Sequence, residues 1–308
     1  MPDSRLRVLP AVIPVPDARP FGSRPTDHPH PLGGRGALQP RPAAGVTEYT
    51  DVGRVVGRSR LEVDGETWER LMVRTHVIRP GEDVSKLLQQ YAGPVIQPQD
   101  WVIIGQKAVS IAQGRLVRER LVRPRPLAVF LARHVKRTPF GRGLGRPATM
   151  EVAIREAGVP RILAACAAHL VGRALNRSGD FYRVAGQKVA SIDGVTEWAL
   201  PPFNEYIVLH PVGADALARR AAARLGTPVA IVDLNDLGGE ILGASTGIDR
   251  PLLRRVLADN PLGQGPFCTP LAVVRRAAPA GEDGPQAQDA QRHSRPSGTD
   301  ASPERRGR

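Results

Sequence analysis

Cysteine is scarce in this chain of 308 residues, and long apolar runs are missing. The two cysteines, Cys166 and Cys268, cannot form a disulfide framework or a zinc site by themselves. The longest apolar run, Ile162 to Ala168, is far too short to cross a bilayer. Prolines break up the first apolar stretch, so the N-terminus does not have the pattern of an export signal. These features predict a cytoplasmic protein that does not enter a membrane.

Lysine is scarce as well, since only four of the 43 basic residues are Lys, yet the formal net charge is +13. Residues 115–146 contain ten Lys or Arg against a single acidic residue, Glu119. Such a segment is either a solvated basic face in an Arg-rich composition or a site for an anion, and the sequence favours neither. Its only aromatic residues are Phe130 and Phe140, so stacking on nucleic-acid bases is not indicated. We therefore do not expect nucleic acid as a partner.

The composition is otherwise that of a globular protein, with 41% hydrophobic and 24% charged residues. Both ends differ from this average. Residues 1–47 and 277–308 are mostly Pro, Gly, Arg, Ser, Asp and Gln, and they have too few apolar residues to offset the entropy of ordering. We predict two disordered tails around a single mixed domain of the α+β class, residues 48–276.

Hydrophobic periodicity predicts both strands and helices within this domain. In the helix at 159–177, the small residues Ala164, Ala165, Ala167 and Ala168 indicate close packing against another element. The helix after Pro80-Gly81 is expected to begin at an Asp83 cap. The predicted helices are 84–91, 159–177, 214–225 and 251–259, and the predicted strands are 71–78, 101–104, 180–189, 228–232 and 271–274.

Acidic and amide side chains follow the buried strand at 228–232. Asp233, Asn235 and Asp236 form one acidic turn, and Asp193 belongs to a second turn that closes on glycine. Carboxylate and amide oxygens are ligands that Mg²⁺ and Mn²⁺ prefer. Asp and Asn beside Gly are also ordinary turn formers, so the spacing alone leaves both interpretations open.

A possible phosphate site precedes these turns in the chain. Gly105, Gln106 and Lys107 follow a strand and begin a helix, which is the usual position for a bound phosphate. The loop Phe140 to Pro147 contains alternating glycines that could admit an anion, although an ordinary loop explains them better.

Three motifs in a fixed order resemble the γ-glutamyl ligases of the deazaflavin coenzyme F-420. They are Trp101-Val-Ile-Ile-Gly-Gln-Lys107-Ala-Val-Ser-Ile-Ala-Gln-Gly-Arg115, Ala190-Ser-Ile-Asp193-Gly and Val229-Ala-Ile-Val-Asp233-Leu-Asn-Asp236-Leu-Gly238. The likeness extends from about Met72 to Gly243, and it is closer to a bacterial branch of ligase-like relatives. It covers most of the predicted domain and neither tail.

The resemblance implies a GTP-dependent ligase with an α+β fold that forms a homodimer through intertwined sheets and binds two divalent ions, Mg²⁺ or Mn²⁺. In that family GTP phosphorylates an anionic carboxylate substrate, and the amine of L-glutamate then attacks the acyl phosphate. The implied metal ligands are Asp193, Asn235 and Asp236, with Asp233 as a weaker candidate. The implied nucleotide-binding residues are Ile78, in the first nucleotide-contacting strand, and Gln106, Lys107 and Thr196.

The chain also departs from the family pattern. The family sequence Asp-Thr-Phe-Gly-Arg-Pro-Trp-Arg is replaced by Asn235-Asp-Leu-Gly-Gly-Glu240, which lacks the arginines and the tryptophan. Ile111 stands at a position that is usually Lys, and Thr196 at one that is usually Asn. An alternative is therefore a relative without catalytic activity that binds a phosphorylated ligand or nucleic acid through its basic face.

Overall fold

The computed structural model of the protein describes residues 51–135, 143–196, 199–235, 238–263 and 267–277, without the side chain of Asn235. Both predicted tails, apart from Ala277, lie outside these residues, and so does Asp236. The described part combines a mixed sheet with helices on both faces, which confirms the predicted α+β class. None of its helices combines the length and the apolar character needed to span a membrane.

The main sheet of the described part has six strands in the order β1-β2-β8-β3-β6-β7, and β4 pairs separately with β5. Most neighbours are antiparallel, whereas β3 and β6 are parallel. The strands are β1 (Val55–Val63), β2 (Glu66–Val73), β3 (Trp101–Gly105), β4 (Leu116–Arg118), β5 (Tyr206–Val208), β6 (Val229–Asn235), β7 (Gly238–Ala244) and β8 (Leu271–Arg276).

The helices of the described part begin and end near the predicted positions where the sequence has clear caps. Asp83 accepts hydrogen bonds from the Ser85 and Lys86 N–H groups, which confirms it as a cap. The helices are α1 (Val84–Tyr91), α2 (Gln106–Ala112), α3 (Pro126–Arg133), α4 (Pro147–Ala157), α5 (Val159–Ala174), α6 (Asp180–Ala185), α7 (Gln187–Ala190), α8 (Ala214–Leu225) and α9 (Arg250–Val256).

Alternating residues of the central strands divide the core between the two faces of the sheet. On β3, Val102 and Ile104 join the cluster that packs under α1, α2 and α8. Ile103 points to the opposite face, where it belongs to the cluster formed with α9. A third cluster joins α3, α4 and α5, with Met150 and Ile162 as fully buried members.

The predicted strand at 180–189 is wrong, because this segment forms α6 and α7. Gly179 and Gly186 have φ angles of +84° and +89°, which end one helical segment and begin the next. Asp180, at the start of α6, lies 2.6 Å from an Arg183 guanidinium nitrogen one helical turn later. The period-2 interpretation missed this helical spacing.

The predicted strand at 71–78 is displaced toward the N-terminus. Strand β2 ends at Val73, and the Thr75 N–H then donates to the Cys268 carbonyl at 2.8 Å, outside the ladder with β1. Ile78 consequently lies in the connection to α1, buried in the apolar core, and not in a strand. Edge strand β1 was missed because Arg58 and Arg60 alternate with only partly buried neighbours.

Candidate functional site

Parallel pairing of β3 with β6 places the ends of two predicted site segments side by side. Gly105, the last residue of β3, is in register with Val232, three residues before the end of β6. The chain continues from one end into α2, with Lys107 in its first turn, and from the other to Asp233. Neighbouring carboxyl ends of parallel strands are a usual place for ligands in sheets with helices. The topology therefore brings the two predicted site segments side by side.

Asp193 reaches this edge from a different part of the chain. Its backbone forms an isolated bridge with Val208, at the end of β5, through two N–H to O=C hydrogen bonds of 2.9 Å. The Gln106 side-chain amide also donates to the Ser191 carbonyl at 2.7 Å. Two independent contacts thus fix the turn that carries Asp193 against β5 and α2.

Lys107 and Asp193 form an ion pair, with 3.3 Å between Nζ and Oδ2. Both side chains are more than 40% exposed, so a ligand can approach them from solvent. A pair with this exposure contributes little to stability. The energetic effect of the pair is therefore small enough for a ligand to rearrange it.

The β6–β7 hairpin adds two more carboxylates. Asp233 and Glu240 are directly opposite each other in its register and therefore share one face. Burial raises the pKa of Asp233 to about 7, and the negative charges of Asp193 and Glu240 add to this increase, whereas Lys107 opposes it. Because these groups affect the same carboxyl, Lys107, Asp193, Asp233 and Glu240 form one electrostatic cluster, which we call the acidic cluster.

The predicted acidic turn needs a correction. Asp233 and Asn235 are the last residues of β6 and not part of a turn. Asp236 and the Asn235 side chain lie outside the description, so their predicted metal contacts stay predictions. Among the described residues, no group of three or more His, Cys, Asp or Glu is arranged to hold a metal ion.

The other predicted nucleotide-binding residues have different surroundings. Gln106 is buried, and its side-chain amide donates to the Ser191 carbonyl. This hydrogen bond holds the turn of Asp193 and is a structural contact. Thr196 is half-buried in the segment after that turn. Ile78 is a core residue whose loop reaches the C-terminal end of α2, where the Gly81 N–H donates to the Ala112 carbonyl at 2.8 Å. The structure thus brings Lys107, Asp193 and Asp233 together.

Sequence reasoning noted Glu240 only as a nearby acid and gave it no role. The signal for its placement was the turn-forming pair Asn235-Asp236 between the apolar run 229–232 and Ile241-Leu242, since Asn and Asp favour the turn of a hairpin. With the hairpin assigned, residues 233 and 240 fall opposite each other.

Of the seven basic residues that the structure describes in the segment at 115–146, four are engaged in ion pairs within the protein. Four of its described arginines bind carboxylates: Arg115 with Glu156, Arg118 with Glu205, Arg125 with Glu151 and Arg146 with Glu119. Arg120, Arg123 and Arg133 are exposed and have no ion pair with another described residue. Much of the basic charge therefore holds α4 and the β4–β5 pair in place.

Residues 72–232 match the sequence model of a protein family described as F420-0:Gamma-glutamyl ligase. The matched segment covers more than half of the chain, includes Lys107 and Asp193, and ends one residue before Asp233. No curated protein matches the chain.

Proposed function

Since the chain belongs to the F420-0:gamma-glutamyl ligase family, we propose that it is a nucleotide-dependent ligase that forms an amide bond. In this proposal GTP activates an anionic carboxylate substrate, and the amine of L-glutamate is the acceptor. The observation that carries the proposal is the acidic cluster, in which Lys107 pairs with Asp193 and both act electrostatically on Asp233 of the β6–β7 hairpin.

A divalent cation, Mg²⁺ or Mn²⁺, fits the chemistry of the acidic cluster. Its donors are hard carboxylate oxygens, and burial, with added repulsion from Asp193 and Glu240, keeps the pKa of Asp233 high, so a bound cation would favour the charged carboxylate. Asp193, Asn235 and Asp236 would hold the metal, with Asp233 as a weaker ligand. When bound, the metal would neutralise the oxygens of a nucleotide phosphate.

The chain's own groups account for the remaining requirements of phosphoryl transfer. Lys107, at the start of α2, presents an exposed ammonium to a phosphate, where a charge-assisted hydrogen bond is strong. Gln106 is a positioning residue, because its buried amide fixes the turn of Asp193. These groups orient the phosphate chain toward the substrate carboxylate.

The proposed reaction has two balanced steps. A carboxylate oxygen of the substrate attacks the terminal phosphorus of GTP, which forms an acyl phosphate and releases GDP. The neutral amine of L-glutamate then attacks the acyl carbon, loses a proton, and displaces inorganic phosphate. Hydrolysis of the nucleotide is thereby coupled to the formation of an amide.

Glutamate-dependent release of phosphate from GTP tests the proposal. We expect Asp193→Asn and Asp236→Ala to abolish this release, while Asp64→Asn leaves it unchanged. Asp64 is a suitable control because it lies in the exposed β1–β2 turn and contacts Arg255. Undiminished turnover in both site variants would rule out the proposed ligase site, and equal turnover with ATP would rule out selectivity for GTP.

A further inference from the structure

Arg70 is a buried arginine in the middle of β2, with only 2% of its surface exposed. A buried guanidinium is tolerated only where its charge and its N–H groups find partners. Its Nε donates to the Ser59 hydroxyl at 3.0 Å, and Nη1 donates to the Val256 carbonyl at 3.0 Å. Nη1 and Nη2 also donate to the two carboxylate oxygens of Asp259, the second at 2.9 Å. Arg70 therefore joins β1, the end of α9 and the loop that follows α9.

This loop, residues 259–263, is held by contacts at both of its ends. Asp259 binds Arg70 at the first end. The Gly263 N–H donates to the Asn260 carbonyl at 3.0 Å, which closes a tight turn. The hydroxyl of Thr269, just before β8, donates to the Leu262 carbonyl at 3.1 Å. The position of Leu262 is thus fixed from two sides.

Leu262 lies over the carboxyl end of β3. A methyl group added at Gly105 would come within 3.7 Å of Leu262 Cδ1 and within 3.6 Å of the Pro270 carbonyl oxygen. The Gly105 N–H donates to that carbonyl at 2.8 Å. Gly105 is the residue directly before α2, whose first turn carries Lys107. The loop at 259–263 therefore packs on the backbone from which Lys107 extends toward the acidic cluster.

We infer that Arg70 is a positioning residue for the phosphate-binding end of α2, on which it acts through Asp259 and Leu262. The inference rests on the proposed function, because it takes Lys107 as the contact to the nucleotide phosphate. Arg70 orients the loop, and the loop orients the backbone at Gly105. A displacement of about 1 Å at a site can cost roughly 100-fold in rate, so a buried anchor for this backbone matters for ligand binding.

The contacts of Arg70 separate this role from a purely structural one. Its bond to the Val256 carbonyl satisfies an acceptor at the end of α9 and stabilises the fold. Its pair with Asp259 orients the loop instead. The Asp259 side chain is 60% exposed, so its replacement does not bury a new polar group. Asp259→Asn therefore weakens the contact to the loop and keeps the contact to α9.

Calorimetric titration with GTP and Mg²⁺ tests the inference. We expect Asp259→Asn to weaken binding roughly 10-fold, as replacement of a group that only orients a binding residue commonly does. Leu262→Ala should also weaken binding, because it shortens the side chain that covers Gly105. Asp64→Asn is the matched control. Asp64 is 62% exposed and also pairs with an arginine that joins α9 to the β1–β2 hairpin, yet it lies outside the loop. Its affinity should equal that of the wild type.

Hydrogen exchange of the ligand-free protein gives a second measurement that does not depend on the ligase reaction. The amides at the start of α2, residues 105–108, should exchange faster in Asp259→Asn than in the wild type or in Asp64→Asn. Unchanged exchange there would overturn the inference. Equal GTP affinity in Asp259→Asn and the wild type would also overturn it, even with a lower Tm, because a purely structural role lowers only the stability. A wild type that does not bind GTP would overturn the proposed function, and the exchange rates would then decide whether Arg70 positions α2.

Discussion

The ammonium of Lys107 lies 3.3 Å from a carboxylate oxygen of Asp193, across two segments that are distant in the sequence. The pair connects the first turn of α2 with the bridge at the end of β5. Both partners are exposed, so the pair contributes little to stability.

Replacing Lys107 with Met should weaken nucleotide binding. The variant loses a charge-assisted contact with phosphate, which corresponds to a decrease in affinity of roughly 10- to 100-fold. Calorimetric titration with GTP measures this change. Lys86→Met is the control, since Lys86 is exposed on α1 and should retain wild-type affinity. Equal affinity in both variants would contradict the assignment of Lys107.

Replacing Asp233 with Asn should stabilise the metal-free protein at high pH. Burial raises the pKa of Asp233 from 3.8 to about 7, with Asp193 and Glu240 adding to the increase. The unfolded chain therefore releases this proton at a lower pH than the folded protein does. Relative to Asp233→Asn, the wild type should lose stability as pH rises from about 4 to about 7, and the loss is complete above that range.

Thermal unfolding at pH 5 and pH 8 measures this effect, and the difference in Tm between the two proteins should be larger at pH 8. A difference that does not change with pH would mean that Asp233 ionises normally.

Gly243→Ala should destabilise the hairpin that carries Asp233 and Glu240. A methyl group at Gly243 would lie 2.3 Å from the Ala214 carbonyl carbon of α8, and backbone atoms cannot move aside at low cost. Such overpacking costs about 1–3 kcal/mol. Denaturant unfolding measures the cost. Gly57→Ala is the comparison, because the added methyl would meet the flexible end of the Met72 side chain at 2.8 Å. Gly57→Ala should therefore lower the free energy of unfolding by less than Gly243→Ala does.

Glu151→Gln should also destabilise the protein. Glu151 is buried and accepts hydrogen bonds from Arg155 at 2.8 Å and Arg125 at 3.0 Å. Burial raises the pKa of Glu151, but these bonds outweigh it, so the pKa is lowered overall. The stabilisation is present above the ordinary pKa of 4.5 and is lost as pH falls through the lower folded-state pKa.

Glu151→Gln should lower the free energy of unfolding by about 1–3 kcal/mol at pH 7. The difference in this free energy between the variant and the wild type should become smaller in acid. Urea unfolding at several pH values checks both statements. Glu62→Gln is the control, because Glu62 is an exposed residue of β1.

Some parts of this fold could be predicted from the sequence because their signals are local. The Asp83 cap, the buried run of β3 and the amphipathic pattern of α8 are each encoded in a short segment. The segment at 180–189 was assigned wrongly because glycines with positive φ angles divide it into two helices too short for a clear period.

The candidate site was predictable only in part, because its geometry depends on long-range pairing. Lys107 and Asp193 could be named from motifs. Their contact requires the parallel register of β3 with β6 and the bridge to Val208, which short-range patterns do not specify. The role of Glu240 in raising the pKa of Asp233 likewise follows from hairpin register and burial.

Strand β8, the last of the described strands, lies between β2 and β3 in the middle of the sheet. During synthesis, the earlier strands emerge before the strand that joins them, so β2 and β3 wait with unpaired edges until residues 271–276 have left the ribosome. Because unpaired strand edges favour aggregation, the chain is vulnerable to aggregation during this interval. A chain that stops before Leu271 would lack the centre of its sheet.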